Sequence, residues 1–348
     1  EDSFLGFLVT DRRVGKGYNR VAGIDASIRF LSDYRLSLQA LQSWTKEPQD
    51  TSLYDGEDVL TFDGGNYTAA FDGQRFDSPG LSANLSRWGR HWNFEVFFKD
   101  LPPTFRTDNG FLERNDLRRF GAWSGLLFQP DSRLFDQIHP QIGFGWRYNH
   151  SGALRERWVH PGFEVLFKAQ TRVRIGGLAV NDENFQGEWF KGVRRGSLGV
   201  KTNFSEFISG GFDFTLGEFI YRDDPSVGYG HKLGLNTTVK FSSQFVVETT
   251  YQWDRLSRHR GGPEIFDGYV LRNKAMYQFT PRLFLRLITQ YDSFDDKLEI
   301  DALISYKINP FTVFYAGSTN DVVKFGDPHG WAQTDRQFFV KFQYFWRM

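Results

Sequence analysis

The sequence contains no cysteine. That absence excludes disulfides, thiolate metal sites and cysteine nucleophiles together, and it suits an envelope protein that crosses an oxidising periplasm unfolded. There is no run of about eighteen apolar residues, so no transmembrane helix is encoded. Neither sign of charge prevails: Lys plus Arg and Asp plus Glu both number 42, for a formal net charge of zero. A nucleic-acid partner therefore has no electrostatic support. The seven His form no His-Glu-x-x-His pattern and no close pair, which argues against zinc. Gly228-Tyr-Gly230-His-Lys-Leu-Gly234 lacks the dinucleotide-binding spacing, and no helix pattern follows it. No Gly-x-Ser-x-Gly nucleophile motif occurs, and no cofactor is expected. The chain starts at Glu1, with neither an initiator Met nor a signal peptide, which predicts a processed or trimmed product. No linker or low-complexity tract interrupts the 348 residues, so one domain is expected throughout.

Aromatic residues are abundant, at 18% of the chain with 37 Phe, 14 Tyr and 10 Trp. They recur with a period of two. In Gln337 to Trp346, Phe338, Val340, Phe342, Tyr344 and Trp346 are apolar or aromatic while Gln337, Lys341 and Gln343 between them are polar, and a strand with that period has one apolar and one wet face. Val21 to Leu31 repeats the pattern, with Ala22, Ile24, Ala26, Ile28 and Phe30 against Gly23, Asp25, Ser27 and Arg29. Similar segments recur to the end, and short connections such as Ser242-Ser243 and Asn309-Pro310 alternate with longer ones. The pattern predicts an all-β transmembrane antiparallel β-barrel of about eighteen strands (about sixteen to eighteen), with short periplasmic turns, longer extracellular loops and both termini periplasmic. The mean hydropathy of -0.47 agrees, because only alternate residues would face lipid. Asp11 to Asn19 is expected to turn the chain, and Glu47 to Pro79 to form one large surface loop.

Charged residues fill the positions between the apolar ones. Arg147, His160, Glu164, Arg172, Arg174, Lys232, Glu248, Arg272, Arg286, Glu299 and Asp301 are expected to line the lumen, because a Lys or Arg on the lipid face costs about 2–4 kcal/mol at the midplane. Their mixed signs predict a cross-strand ion-pair lattice. In the loop 101–116, Asp108, Glu113 and Asp116 offer carboxylates of the type used in glycoside hydrolysis. Arg106 and Arg114 lie among them, so the simpler expectation is an ion-pair network in a loop folded into the lumen. Asp55, Glu57, Asp58 and Asp63 could offer oxygens to Ca²⁺, but EF-hand spacing is absent and a solvated acidic loop is the plainer reading.

Three segments carry a resemblance: Phe4-Leu-Gly-Phe-Leu-Val-Thr with Tyr18-Asn-Arg-Val-Ala-Gly-Ile-Asp25, Phe105-Arg-Thr-Asp-Asn-Gly-Phe-Leu-Glu-Arg, and Phe339-Val-Lys-Phe-Gln-Tyr-Phe-Trp346. Together they resemble the barrel region of the bacterial outer-membrane family called domain of unknown function 5916. The resemblance implies an outer-membrane location and supplies no catalytic residue. Members of that family usually carry a periplasmic β-sandwich similar to carbohydrate-binding modules, and this chain has no such region. The expected function is a channel or porin-like uptake protein for small polar solutes, saccharides among them. The alternatives are a non-conducting docking component with an envelope protein partner and a carbohydrate-active membrane hydrolase. Lipid and lipopolysaccharide are the expected surroundings.

Overall fold

The computed structural model describes residues 3–54, 61–326 and 330–345. The chain divides into two compact units, one of Glu1–Phe128, His139–Gly162 and Leu178–Val193, the other of Gln129–Ile138, Phe163–Gly177 and Arg194–Met348. In the first lie β1 (Phe4–Val14), β2 (Gly17–Phe30), β3 (Tyr34–Lys46), β4 (Thr61–Phe62), β5 (Tyr67–Thr68), β6 (Arg75–Trp88), β7 (Trp92–Leu101) and β8 (Leu117–Leu126). Each unit takes part of β9 (Phe135–Tyr148), β10 (Leu154–Phe167) and β11 (Thr171–Leu178), and β12 (Val180–Phe185) and β13 (Glu188–Phe190) return to the first. The second continues through β14 (Arg195–Asn203), β15 (Ile208–Tyr221), β16 (Ser226–Lys240), β17 (Phe245–Ser257), β18 (Glu264–Thr280), β19 (Leu283–Asp292), β20 (Lys297–Asn309), β21 (Thr312–Phe325) and β22 (Gly330–Tyr344). No α-helix occurs among the described residues.

The described residues form 22 strands, above the expected sixteen to eighteen. The four additional strands form two short hairpins inside connections, β4 with β5 and β12 with β13. These two- to six-residue pieces are too short to show alternation. The remaining strands pair antiparallel in each unit, chain neighbour to chain neighbour, as in β1–β2–β3–β6–β7–β8 and β14 through β22.

Two expected connections are shorter than the sequence suggests. Asp11 to Val14 and Gly17 to Asn19 belong to strands, and only Gly15-Lys16 turns. Gly15 has φ +58, as a glycine can adopt freely at the first position of a two-residue hairpin. Asp11 lies opposite Arg20 with an ion pair at 3.5 Å, so polar residues continue the ladder past the apolar band. Likewise the loop from Glu47 ends at Gln74, because β6 starts at Arg75 and Pro79 stands opposite Gln42 within the ladder.

Alternation gives each unit two faces. Ile24 is 60% exposed and Val340 70%, so the apolar face is open to its surroundings. On the other face Asp25 stands opposite Gln39, Gln39 opposite Ser82, and Ser82 opposite Lys99. Such an arrangement is inverted for water and correct for lipid outside.

Candidate functional site

The loop between β7 and β8 is seated on the polar face of β2, β3 and β6. Phe105, 1% exposed, packs with Leu101 and Leu117, and Leu41 and Leu112 close around them. Gly80 makes room beneath: a Cβ there would lie 2.8 Å from the Phe105 ring. The carbonyl of Arg106 accepts from Ser43 Oγ at 2.7 Å and Asn19 Nδ2 at 3.2 Å, and the Asp108 N–H donates to Asn19 Oδ1 at 2.9 Å. Asn115 Nδ2 donates to the carbonyls of Pro103 at 2.7 Å and Phe105 at 3.2 Å, tying the loop to itself. Buried Asn19 and Ser43 are thus satisfied by the loop, as buried polar groups must be.

The Arg106 guanidinium lies over the rings of Phe76, at 4.7 Å, and Phe62, at 5.3 Å, and donates to Glu47 Oε1 at 2.8 Å. Glu47 opens the long connection after β3 and is 1% exposed; its Oε2 has no hydrogen-bond partner among the described residues. Burial pushes the Glu47 carboxyl above its usual range against the pull of Arg106, and nearby Asp72 adds to the rise. A raised acid pKa contributes stability that is full below the unfolded pKa, near 4.5, and is lost as pH rises through the folded value. Protease resistance of the loop should therefore increase on acidification from neutral toward that range. Glu47→Gln should abolish this pH dependence; an unchanged dependence in the variant would assign it to another group.

The loop carboxylates do not converge. Asp108 faces Arg12 at 3.8 Å, while Asp116 Oδ1 accepts the His150 N–H at 2.9 Å. His150 Nε2 meets Asp100 Oδ1 at 2.6 Å, and Asp100 also takes Arg118, so this end of the loop is tied to β7, β8 and the turn after β9. Glu113 and Arg114 are exposed. Asp55, Glu57 and Asp58 lie outside the described residues. Asp63 is exposed and accepts from Asn66, and no group of three His, Asp or Glu that could hold a metal occurs among the described residues.

Of the expected lumen residues, Arg147 pairs with Glu156 at 3.1 Å, and Arg172 and Arg174 share Glu164 at 3.5 and 3.0 Å. Directly opposite residues give Lys232–Asp254 at 2.6 Å and Lys274–Glu248 at 3.2 Å. Arg272 donates to Gln290, Gln290 to Glu299, and Lys297 bridges Glu299 and Asp321. Arg286 Nε and Asp301 Oδ1 are buried without a hydrogen-bond partner among the described residues. His160 stands edge-on to Trp158 at 5.1 Å. The polar face thus carries paired charges of both signs.

Aromatics on that face escape the sequence reading, among them Phe97, Trp123 and Trp158. Their parity marks them, since Phe97 falls in the series of Glu95 and Lys99, not that of Val96 and Phe98. A cavity of about 560 Å³ lies beside Phe97, lined also by Asp25, Gln39, Asn84, Glu95 and Lys99. A second, of about 310 Å³, lies at the loop seat between Arg12, Tyr18, Glu47 and Arg106.

No family model matches the chain, and no curated protein does. Thirty solved chains match. A mutant of the ferric enterobactin receptor PfeA of Pseudomonas aeruginosa aligns with TM-score 0.56 and 9% identity, over 94% of this chain and 62% of that one. FpvA of the same organism, bound to a heterologous pyoverdine, gives 0.55 and 9% over 97% and 60%. The siderophore receptor PiuA of Acinetobacter baumannii gives 0.53 and 10% over 94% and 64%. The chain spans about three-fifths of the length of these structures. At such identities the likeness shows the fold, which is that of the outer-membrane β-barrels.

Proposed function

We propose that the chain is an uptake channel of the bacterial outer membrane for small polar solutes, set in lipid and lipopolysaccharide, with the short turns and both ends of the barrel on the periplasmic side. The observation that carries this reading is the division of long strands such as β2 and β16 into an exposed apolar face and a polar face, the latter with ion pairs such as Lys232–Asp254. In a barrel fold the first meets lipid and the second lines water. Similarity of fold to siderophore receptors supports transport as the use of that interior. The membership in the family of unknown function 5916 that the Phe105 motif suggests is part of the same proposal. That motif forms the loop seated on the polar face of β2, β3 and β6, so the loop would narrow the interior from one wall.

The mixed charges predict weak ion selectivity. In planar bilayers under a salt gradient the reversal potential should stay near zero, and removing residues 47–74 should raise the conductance. A strongly selective current would contradict the paired-charge interior. If neither form conducts and a stable protein partner co-purifies, the docking role replaces the channel.

A further inference from the structure

Phe97, Trp123 and Trp158 stand together at positions that strand parity assigns to polar groups. Phe97 lies opposite Gly121, Gly121 opposite Gly145, and Trp123 opposite Gly143. A Cβ on Gly121 would meet the Phe97 ring at 2.3 Å, and one on Gly145 would meet Trp158 at 2.8 Å. The rings therefore lean over bare backbone in space that any side chain would fill, and all three remain partly exposed. Their settings are fixed. Trp123 Nε1 donates to Gln141 Oε1 at 2.8 Å, and the Arg119 guanidinium lies 5.2 Å from the Phe97 centroid.

Hydrogen-bonding groups flank the rings. Asn84 Nδ2 donates to Glu95 Oε1 at 2.6 Å beside Phe97, and Arg147 pairs with Glu156 at 3.1 Å. Planar amides, carboxylates and guanidinium groups around aromatic faces suit a ligand with a flat C–H face and a rim of hydroxyls. Both signs of charge are present, so an anion or a cation would meet repulsion as well as attraction. Covering strand glycines with aromatic rings also stabilises sheets, and the experiment must separate that role from binding.

We propose that Phe97, Trp123 and Trp158 form a stacking stripe for a neutral saccharide, a reading that rests on the channel function and names its substrate class. The pyranose ring would stack its C–H face on the aromatics, and its hydroxyls would take Glu95, Asn84 and Gln141. The polar groups fix orientation, and the rings supply the contact area.

The test adds linear neutral hexasaccharides of glucose, mannose and xylose to the purified protein, in planar bilayers and separately in detergent with tryptophan fluorescence read out. At least one sugar should interrupt the current saturably, beyond a polyethylene glycol of equal size, and should quench the fluorescence. Trp123→Leu and Trp158→Leu should each weaken binding about tenfold, as the loss of one stacking contact does, while Trp158→Phe keeps most of it. Glu95→Gln leaves the ring–glycine packing intact and should weaken binding several-fold, which serves if a Leu variant fails to fold. A conducting pore with neither sugar block nor quenching overturns the saccharide assignment and leaves the channel standing. Saturable quenching without conduction keeps the stripe and removes the channel. Folded ring variants that are less stable yet bind like the wild type would make the rings purely structural and overturn the proposal.

Discussion

Phe105→Ala will release the loop 101–116 from the polar face while the strand ladder survives. Phe105 is 1% exposed and holds Leu101, Leu117, Leu41 and Leu112 around one ring. Truncating a buried Phe to Ala costs about 3–5 kcal/mol, as much as the four hydrogen bonds to Asn19, Ser43 and Glu47 contribute together at about 1 kcal/mol each, so about half of what holds the loop is lost. The ladders of β2, β3 and β6 do not depend on that ring, so the loss should be local. Limited proteolysis should cut the segment in the variant and spare it in the wild type, with little change in the global unfolding transition. Equal protection in both would mean that the Arg106 contacts alone hold the loop.

Gly177→Ala should be comparably severe for a different reason. Gly177 has φ +143 in β11, a conformation essentially restricted to glycine. Its Cβ would fall 2.1 Å from the Arg195 carbonyl oxygen and 2.9 Å from the Gly196 Cα. Every obstacle is backbone, so nothing can rotate aside, and the cost should reach about 3 kcal/mol. Gly196→Ala is the control, since a Cβ there meets nothing within 4 Å. The temperature at which the folded form loses its faster gel mobility should fall sharply for Gly177→Ala and hardly move for Gly196→Ala. A common shift for both would refute the backbone explanation.

What was legible in the sequence is what a period of two writes on every strand. The apolar series of β2, β7 and β22 needs no partner to be recognised, and the Phe105 motif stood out by its resemblance to the family of unknown function 5916. Its role did not, because the seat is assembled from Asn19, Ser43, Glu47 and Gly80, which are far apart in the chain and unremarkable alone. Glu47 reads as one more loop acid until burial shows it beneath the loop. Ion-pair partners such as Asp254 for Lys232 depend on register, and register is set by turn geometry that composition does not fix. The interior aromatics were masked by the wealth of aromatics on the other face: Phe97 is flanked by Val96 and Phe98, and only its parity separates it from them.

The central claim is that neighbouring residues of one strand pair meet opposite media. Because the chain has no cysteine, single thiols can be placed without background. Ile24 and Gln39 are near neighbours across β2 and β3 on opposite faces, and Ile142 of β9 and Lys99 of β7 lie on the apolar and the polar face of the same unit. The measurement is labelling of Ile24→Cys, Ile142→Cys, Gln39→Cys and Lys99→Cys in lipid vesicles by a membrane-impermeant maleimide. Rapid labelling of Gln39→Cys and Lys99→Cys, with Ile24→Cys and Ile142→Cys protected, is the predicted result. Equal labelling of all four would contradict a lipid-facing apolar surface and the barrel account built on it.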